Sequence, residues 1–312
     1  MNKRHLHMRK LGPSWHSFLS VFLLTLQTSI LFGGTTAAEV ERFDKLRREA
    51  GSGDPNAQNQ LGLCYTEGAG TMPDFAKAFS WYIKAAEKGH PDALNNIGLC
   101  YAKGNGVEVS LADAAKWFFR AAEQGHAMAQ HNLGFCYYNG AGVEKDYSQA
   151  FRLFKKAADN GVIDAHFNVG KCYFDGTGVL QNQLEAITWF QKAADKGHVQ
   201  SQYTLGLCYL NGWGAPKDFK MVMIWYRKAA EQGYVDALYN LGLFYATGQG
   251  TQVDEAEAYA LWSVAAKTDS GAKSNLEIIR TKMSPAKIQS GLRRAEELEN
   301  RIRLNLERSA IR

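Results

Sequence analysis

Six glycines, Gly62, Gly98, Gly134, Gly170, Gly206 and Gly242, stand 36 residues apart with no insertion or deletion between the first and the last. A chain that keeps such a period must build one unit six times over, and periods of about 20–50 residues belong to stacked repeat architectures. Each unit reads as two helices. In the first, Ala93, Ile97 and Tyr101 accompany Gly98 at helical spacing, and a Gly-x-Gly turn follows at Gly104 and Gly106. In the second, Ala114, Trp117, Phe118, Ala121 and Ala122 fall at i, i+3, i+4, i+7 and i+8, one face of a helix. The expected fold is all-α: a solenoid of about six 36-residue helix-turn-helix repeats with terminal capping helices.

Punctuation agrees with the period. Asp74, Ser110, Asp146, Asn182, Asp218 and Asp254 precede the six second helices, and these residue types accept bonds from the first free helical N–H groups. Gly89, Gly125, Gly161, Gly197 and Gly233 follow five of those helices, where a left-handed cap is easiest for glycine.

Five repeats place a cysteine two residues after the period glycine, Cys64, Cys100, Cys136, Cys172 and Cys208, and the sixth places Phe244 there. At 100° per residue this position shares the core face with the repeated Ala, Leu and Tyr. Equivalent points on stacked helices lie about 8–10 Å apart, beyond the roughly 7 Å that a disulfide tolerates. Five buried, unpaired thiols acting as small apolar residues are therefore expected, rather than a nucleophile or a metal site.

The pattern A-x-x-x-L-G-x-x-Y-x-x-G-x-G, a capping residue, then A-x-x-W-F-x-K-A-A-x-x-G resembles the Sel1-like repeat (SLR) family, relatives of tetratricopeptide repeats. "FCYYNGAG" from Phe135 and "WFQKAA" from Trp189 are typical pieces, and the resemblance covers about residues 57–271. It implies a right-handed superhelix of α-hairpins that serves as an adaptor for other proteins. Some cysteine-rich secreted bacterial members carry a disulfide in each unit and are linked to β-lactam binding or hydrolysis. Those use two cysteines per unit near the end of the second helix, where this chain has Ala86 and Ala93.

The ends read as caps and a leader. Lys3, Arg4, Arg9 and Lys10, the apolar run "FLSVFLLTLQTSILF" from Phe18 to Phe32, and the small residues "GGTTAA" form the three-part pattern of a secretory signal over residues 1–38. Cleavage after Ala37 or Ala38 is expected; an uncleaved anchor is the alternative, but the run is shorter than the roughly 20 apolar residues of a span. The four basic residues account for most of the formal charge of +5, and the remaining chain, at +1, gives no electrostatic reason to bind nucleic acid. Residues 39–56 match the second half of a unit and are expected to form an N-terminal half-repeat. Residues 272–312 hold C-terminal capping helices and a tail, with Ser284 capping a helix that begins at Pro285. Ile288, Leu292, Ala295, Leu298 and Ile302 form its stripe and Glu297 pairs with Arg301; half of this helix is expected to close the last repeat, and the remainder, to about Arg308, is a partner handle or a frayed end.

Several tempting motifs dissolve under the period. The Gly-x-Gly turns follow helices rather than strands, so the dinucleotide-loop context is missing. His90, His126 and His198 occupy one repeat position, too far apart along the stack to meet on one metal. Trp81, Trp117, Trp189 and Trp225 read as core. No catalytic residue, cofactor or metal is expected.

A non-enzymatic scaffold outside the cytoplasm, periplasmic or secreted and monomeric, is the expected function, with β-lactam binding or hydrolysis as the alternative. Its partner is expected to be a protein or peptide on the concave face that repeat stacks present. Positions opposite the core of each first helix should line that face. They are His131 and Tyr138, Phe167 and Phe174, Tyr203 and Leu210, and Tyr239, aromatic groups taken as surplus to the core. Beside them run Asn96, Asn132, Asn168 and Asn240. Their amides either bond a peptide backbone or hold neighbouring helices together.

Overall fold

The structure, a computed structural model, describes residues 36–311, with side chains through Arg308. The basic start and apolar run of the expected export signal lie outside the described residues. Fifteen helices and no strands are present among those described. Helix α1 (Ala37–Gly51) is the half-repeat. Repeats one to three are the hairpins α2 (Pro55–Glu67) with α3 (Phe75–Glu87), α4 (Pro91–Lys103) with α5 (Leu111–Glu123), and α6 (Ala127–Asn139) with α7 (Tyr147–Asp159). Repeats four to six are α8 (Ile163–Asp175) with α9 (Gln183–Asp195), α10 (Val199–Asn211) with α11 (Phe219–Ala230), and α12 (Val235–Thr247) with α13 (Glu255–Ala265). Helices α14 (Ser270–Arg280) and α15 (Pro285–Ile311) end the chain. This is an all-α repeat solenoid.

The described chain divides into two compact blocks, one up to Gln181 and one from Asn182. In the first, each repeat closes around an aromatic ring from its second helix, Tyr82, Phe118 or Phe154, at most 2% exposed. Burying such a ring contributes about 1.5–3 kcal/mol. In the second block Tyr226 and Trp262 play that part within a cluster that includes Leu238, Leu241, Phe244 and Ile279.

The period glycines exist because those rings lie on their backbones. A Cβ at Gly134 would sit 2.7 Å from Phe154 Cε1, and one at Gly242 would sit 2.6 Å from Trp262 Nε1. Gly62, Gly98 and Gly206 face Tyr82, Phe118 and Tyr226 in the same way. The second glycine of the turn is restricted twice: Gly142 has φ 75° and lies against the carbonyl of Leu111, at the start of the preceding repeat's second helix.

All six expected side-chain caps form. Asp74 accepts from Lys77 N at 2.9 Å, Asp146 from Gln149 N at 2.9 Å and Asn182 from Glu185 N at 3.1 Å. The same bond is made by Ser110, Asp218 and Asp254. The three histidines are also caps. His126 Nδ1 accepts from Ala129 N at 3.0 Å, which leaves Nε2 to donate to Asp92 Oδ1 at 2.9 Å, 34 residues earlier. His90 repeats this with Ala93 N and Asn56 Oδ1.

The tryptophans are not uniformly core. Trp189 and Trp225 are buried whereas Trp81 and Trp117 are half-buried, and each ring lies under a base three residues on. Lys84 Nζ is 3.8 Å from the Trp81 centroid, Arg120 Cζ 4.4 Å from Trp117, Lys192 Nζ 4.0 Å from Trp189 and Lys228 Nζ 4.0 Å from Trp225.

Helix α15 begins at Pro285, with Ser284 Oγ accepting from Lys287 N at 3.4 Å. It departs from the expected pattern in two ways. Leu292 is 53% exposed, and Gly291 takes its place in the buried stripe, where Tyr259 packs so closely that a Cβ would lie 2.7 Å from its ring. Arg301 pairs with Glu231 Oε1 at 2.8 Å rather than with Glu297, and Asn305 Nδ2 donates to the Glu231 carbonyl at 2.9 Å. The helix therefore docks on its own block well past the point where fraying was one of two expectations.

Candidate protein-interaction face

The first helices carry every residue expected to touch a partner. In the first block their asparagines form rungs between consecutive repeats. Asn96 Nδ2 donates to Asn59 Oδ1 at 3.0 Å, Asn132 Nδ2 to Asn95 Oδ1 at 3.0 Å, and Asn168 Nδ2 meets His131 Nε2 at 2.9 Å. In the second block Asn240 Nδ2 donates to Tyr203 Oη at 3.1 Å. Each rung spans 37 residues, one period plus one. Of the two roles open to the asparagines, these bonds hold neighbouring helices together.

Several aromatic positions are core rather than surplus. His131, Phe167, Tyr203 and Tyr239 are 4–6% exposed. Tyr203 stacks on Tyr226 with centroids 5.3 Å apart and meets Tyr234 at 4.9 Å, and Tyr239 belongs to the C-terminal cluster. His131 packs edge-on to Phe135 at 4.8 Å. Within each block the rungs bring a neighbouring first helix against the side opposite a first helix's own core, which is thereby partly covered. Asn96, Tyr138, Phe174 and Leu210 are the half-buried members of the expected set.

Around Tyr138 the structure assembles a feature that periodic reading missed. Lys171 is 5% exposed and donates from Nζ to Tyr138 Oη at 3.0 Å, 5.1 Å from the centroid of that ring. Burial lowers the Lys171 ammonium from its ordinary value, with Asp175 opposing the shift. Asp175 is exposed at the surface, yet partial desolvation of its carboxyl by its neighbours raises it, against the pull of Lys171. Burial likewise pushes the Tyr138 phenol up to about 12. A sequence signal existed: Lys171 occupies the column that holds Leu63, Leu99, Phe135, Leu207 and Leu243 in the other repeats. A charge in an apolar column costs stability unless something stabilises it.

The five cysteines are buried and unpaired. Burial pushes Cys100, Cys136, Cys172 and Cys208 each up to about 12 and raises Cys64, so at neutral pH they remain thiols, poor nucleophiles and poor metal ligands. Among the described residues no group of three or more His, Cys, Asp or Glu side chains is arranged to hold a metal ion. No described helix is long and apolar enough to cross a membrane.

Stacked α-hairpins with partly covered polar and aromatic faces define a helical-repeat protein-interaction scaffold. The Sel1 repeat model matches residues 55–90, 91–126, 127–162, 163–198, 199–234 and 235–268, and the chain belongs to that family. Among solved structures, a protective antigen of uropathogenic Escherichia coli strains with an SLR fold is 33% identical, with a TM-score of 0.75. The match covers 82% of this chain and 56% of that one, so the chain spans little more than half of that relative's length. A Sel1 repeat protein from Oxalobacter formigenes is 30% identical with a TM-score of 0.64, over 74% of this chain and 97% of that one. A search of curated proteins finds no match.

Proposed function

We propose that the protein is an exported, non-enzymatic scaffold that binds a protein or peptide partner on the first-helix side of its repeats, with Tyr138, Lys171 and Phe174 as the centre of the contact. The observation that carries this reading is the buried Lys171 beneath a half-buried tyrosine, in a column that is otherwise apolar. A lysine retained at the cost of desolvation, among aromatic groups that can anchor a partner, fits recognition better than packing. The rest of the expected set, Asn96, His131, Asn132, Phe167, Asn168, Tyr203, Tyr239 and Asn240, then serves as the frame that holds this centre, because most of these residues are committed to bonds and ring packing between repeats.

Export is supported by the leader-like pattern over residues 1–38. The E. coli relative is described as a protective antigen, which fits a protein met outside the cytoplasm. The β-lactam alternative rests on two cysteines per unit, and this chain carries one in five of its repeats.

The test is a crosslinked pull-down from the native host, repeated with Tyr138→Ala, Lys171→Met and Phe174→Ala combined. Loss of a reproducible partner by about 2 kcal/mol or more, with helicity retained, supports the proposal. A partner captured equally by the variant refutes it.

A further inference from the structure

The column that holds Trp81, Trp117, Trp189 and Trp225 holds leucine in two repeats, Leu153 in the third and Leu261 in the sixth. In the first two repeats the Trp packs against residues of its own repeat and of the unit before. Trp81 packs against the cluster that includes Phe43, Ala50 and Leu61, and Trp117 against the cluster that includes Ala86, Leu94 and Ile97. Leucine is the smaller side chain, and at both leucine repeats the structure has a cleft.

The two clefts are the same place in the repeat. The cleft in the sixth, of about 240 Å³, is lined by Ala230, Glu231, Leu241, Glu257 and Leu261. The cleft in the third, of about 600 Å³, is lined by the residues 108 positions earlier, Ala122, Glu123, Leu133, Gln149 and Leu153. Each lies wholly within its own block. They differ in what covers them. Over the sixth repeat lies α15, whose Leu298 packs against the cluster while Arg301 reaches Glu231 at 2.8 Å and Arg294 reaches Glu257 at 3.3 Å. The third repeat has no such helix among the described residues that line its cleft. Its rim shows Phe119 at 45% exposure, with Tyr137 inside.

We infer that the groove at Leu153 is a docking site for an amphipathic α-helix of a partner protein, which lies on the third repeat as α15 lies on the sixth. The chemistry of that helix follows from the matched positions. A leucine in the place of Leu298 meets Leu153, Leu133 and Tyr137. An arginine three residues on, in the place of Arg301, meets Glu123, the counterpart of Glu231. The charges of the two grooves differ: Arg227, Glu257 and Val264 are matched by Phe119, Gln149 and Lys156, and at one further position the sign reverses. In the sixth repeat Lys267 pairs with Glu299 of α15 at 2.7 Å, but the counterpart of Lys267 is Asp159. The partner helix therefore carries a base where α15 carries Glu299. This groove lies between second helices α5 and α7, with Leu133 and Tyr137 of α6 at its floor, and stands on observations separate from the contact proposed for Tyr138 and Lys171.

The probe is a fluorescein-labelled peptide of residues 285–308 bearing Glu299→Lys, titrated with the full chain and followed by anisotropy. Saturable binding is expected, several-fold tighter than for the same peptide with Glu299 retained. Leu153→Trp installs the residue that four other repeats carry there, and should weaken binding at least tenfold without lowering the melting midpoint. Glu123→Lys should weaken it comparably, and Leu261→Trp should not. Absence of saturable binding overturns the inference, as does binding unchanged by Leu153→Trp and Glu123→Lys, or lost with Leu261→Trp because the peptide displaces α15. A concentration-dependent dimer abolished by Leu153→Trp would make the occupant a second copy rather than a different protein, and would overturn it too.

Discussion

Asn132 Nδ2 donates to Asn95 Oδ1 at 3.0 Å, and both side chains are buried. Neither belongs to the apolar core of its hairpin, yet together they fasten one repeat to the next. Replacing Asn132 by Ala leaves a buried amide oxygen without this donor, a loss of about 1–3 kcal/mol. Urea denaturation of Asn132→Ala, Asn95→Ala and the double variant measures it. The double should lose less than the sum of the singles, and strict additivity would remove the rung from the account.

Gly134→Ala tests the ring-on-backbone contact. On helix propensity alone this change would stabilise by roughly 0.5–1 kcal/mol. The Phe154 ring would stand 2.7 Å from the new methyl, and overpacking of this kind costs about 1–3 kcal/mol. A net loss in thermal melting is expected, with partial recovery when Phe154 is shortened to Leu. A stabilised Gly134→Ala would mean that the ring moves aside freely.

His126→Ala removes both a cap and its bond to Asp92. A lost cap costs about 1 kcal/mol. His126→Asn, which can still accept from Ala129 N, should recover most of it in chemical denaturation. Equal losses for Ala and Asn would assign the contribution to the Asp92 bond instead.

The thiols give a pH signature. Native Cys100, Cys136, Cys172 and Cys208 hold their protons up to about 12, whereas an unfolded thiol loses its proton near roughly 8.5. Their contribution is whole below the unfolded value and declines as pH rises toward the native one. The melting midpoint should fall between about pH 8.5 and 12, more steeply than in a variant with these four cysteines changed to Ala. At neutral pH the native chain should react slowly with a thiol reagent, and the unfolded chain should show five free thiols without reductant.

The hairpins, their caps and their stop glycines were legible because each depends on residue types a few positions apart. Asp146 needs only Gln149 to declare a helix start. The interaction face was harder to read. A helical wheel assigns one side of α6 or α10 to the core and the other to solvent, but the residue 37 positions away supplies a third wall, so His131 and Tyr203 are enclosed. The capping role of His126 was not read from the sequence because histidine is an uncommon cap. Lys171 escaped notice because attention to what repeats passes over the single departure, and the difference between Gly291 and Leu292 is one position on a helix.

The rungs between repeats also limit how such a chain can change in length. Asn132 must stand 37 residues beyond Asn95, Gly134 must find the ring of Phe154, and Gly142 must reach the carbonyl of Leu111. One inserted residue between Leu111 and Asn132 would put the rung and the turn contact out of step together. Gain or loss of an entire 36-residue module leaves all of these relationships intact. The lineage of this chain is thus expected to lengthen and shorten in whole hairpins, while new specificity arises by exchange of single side chains at places such as Leu153 and Lys171.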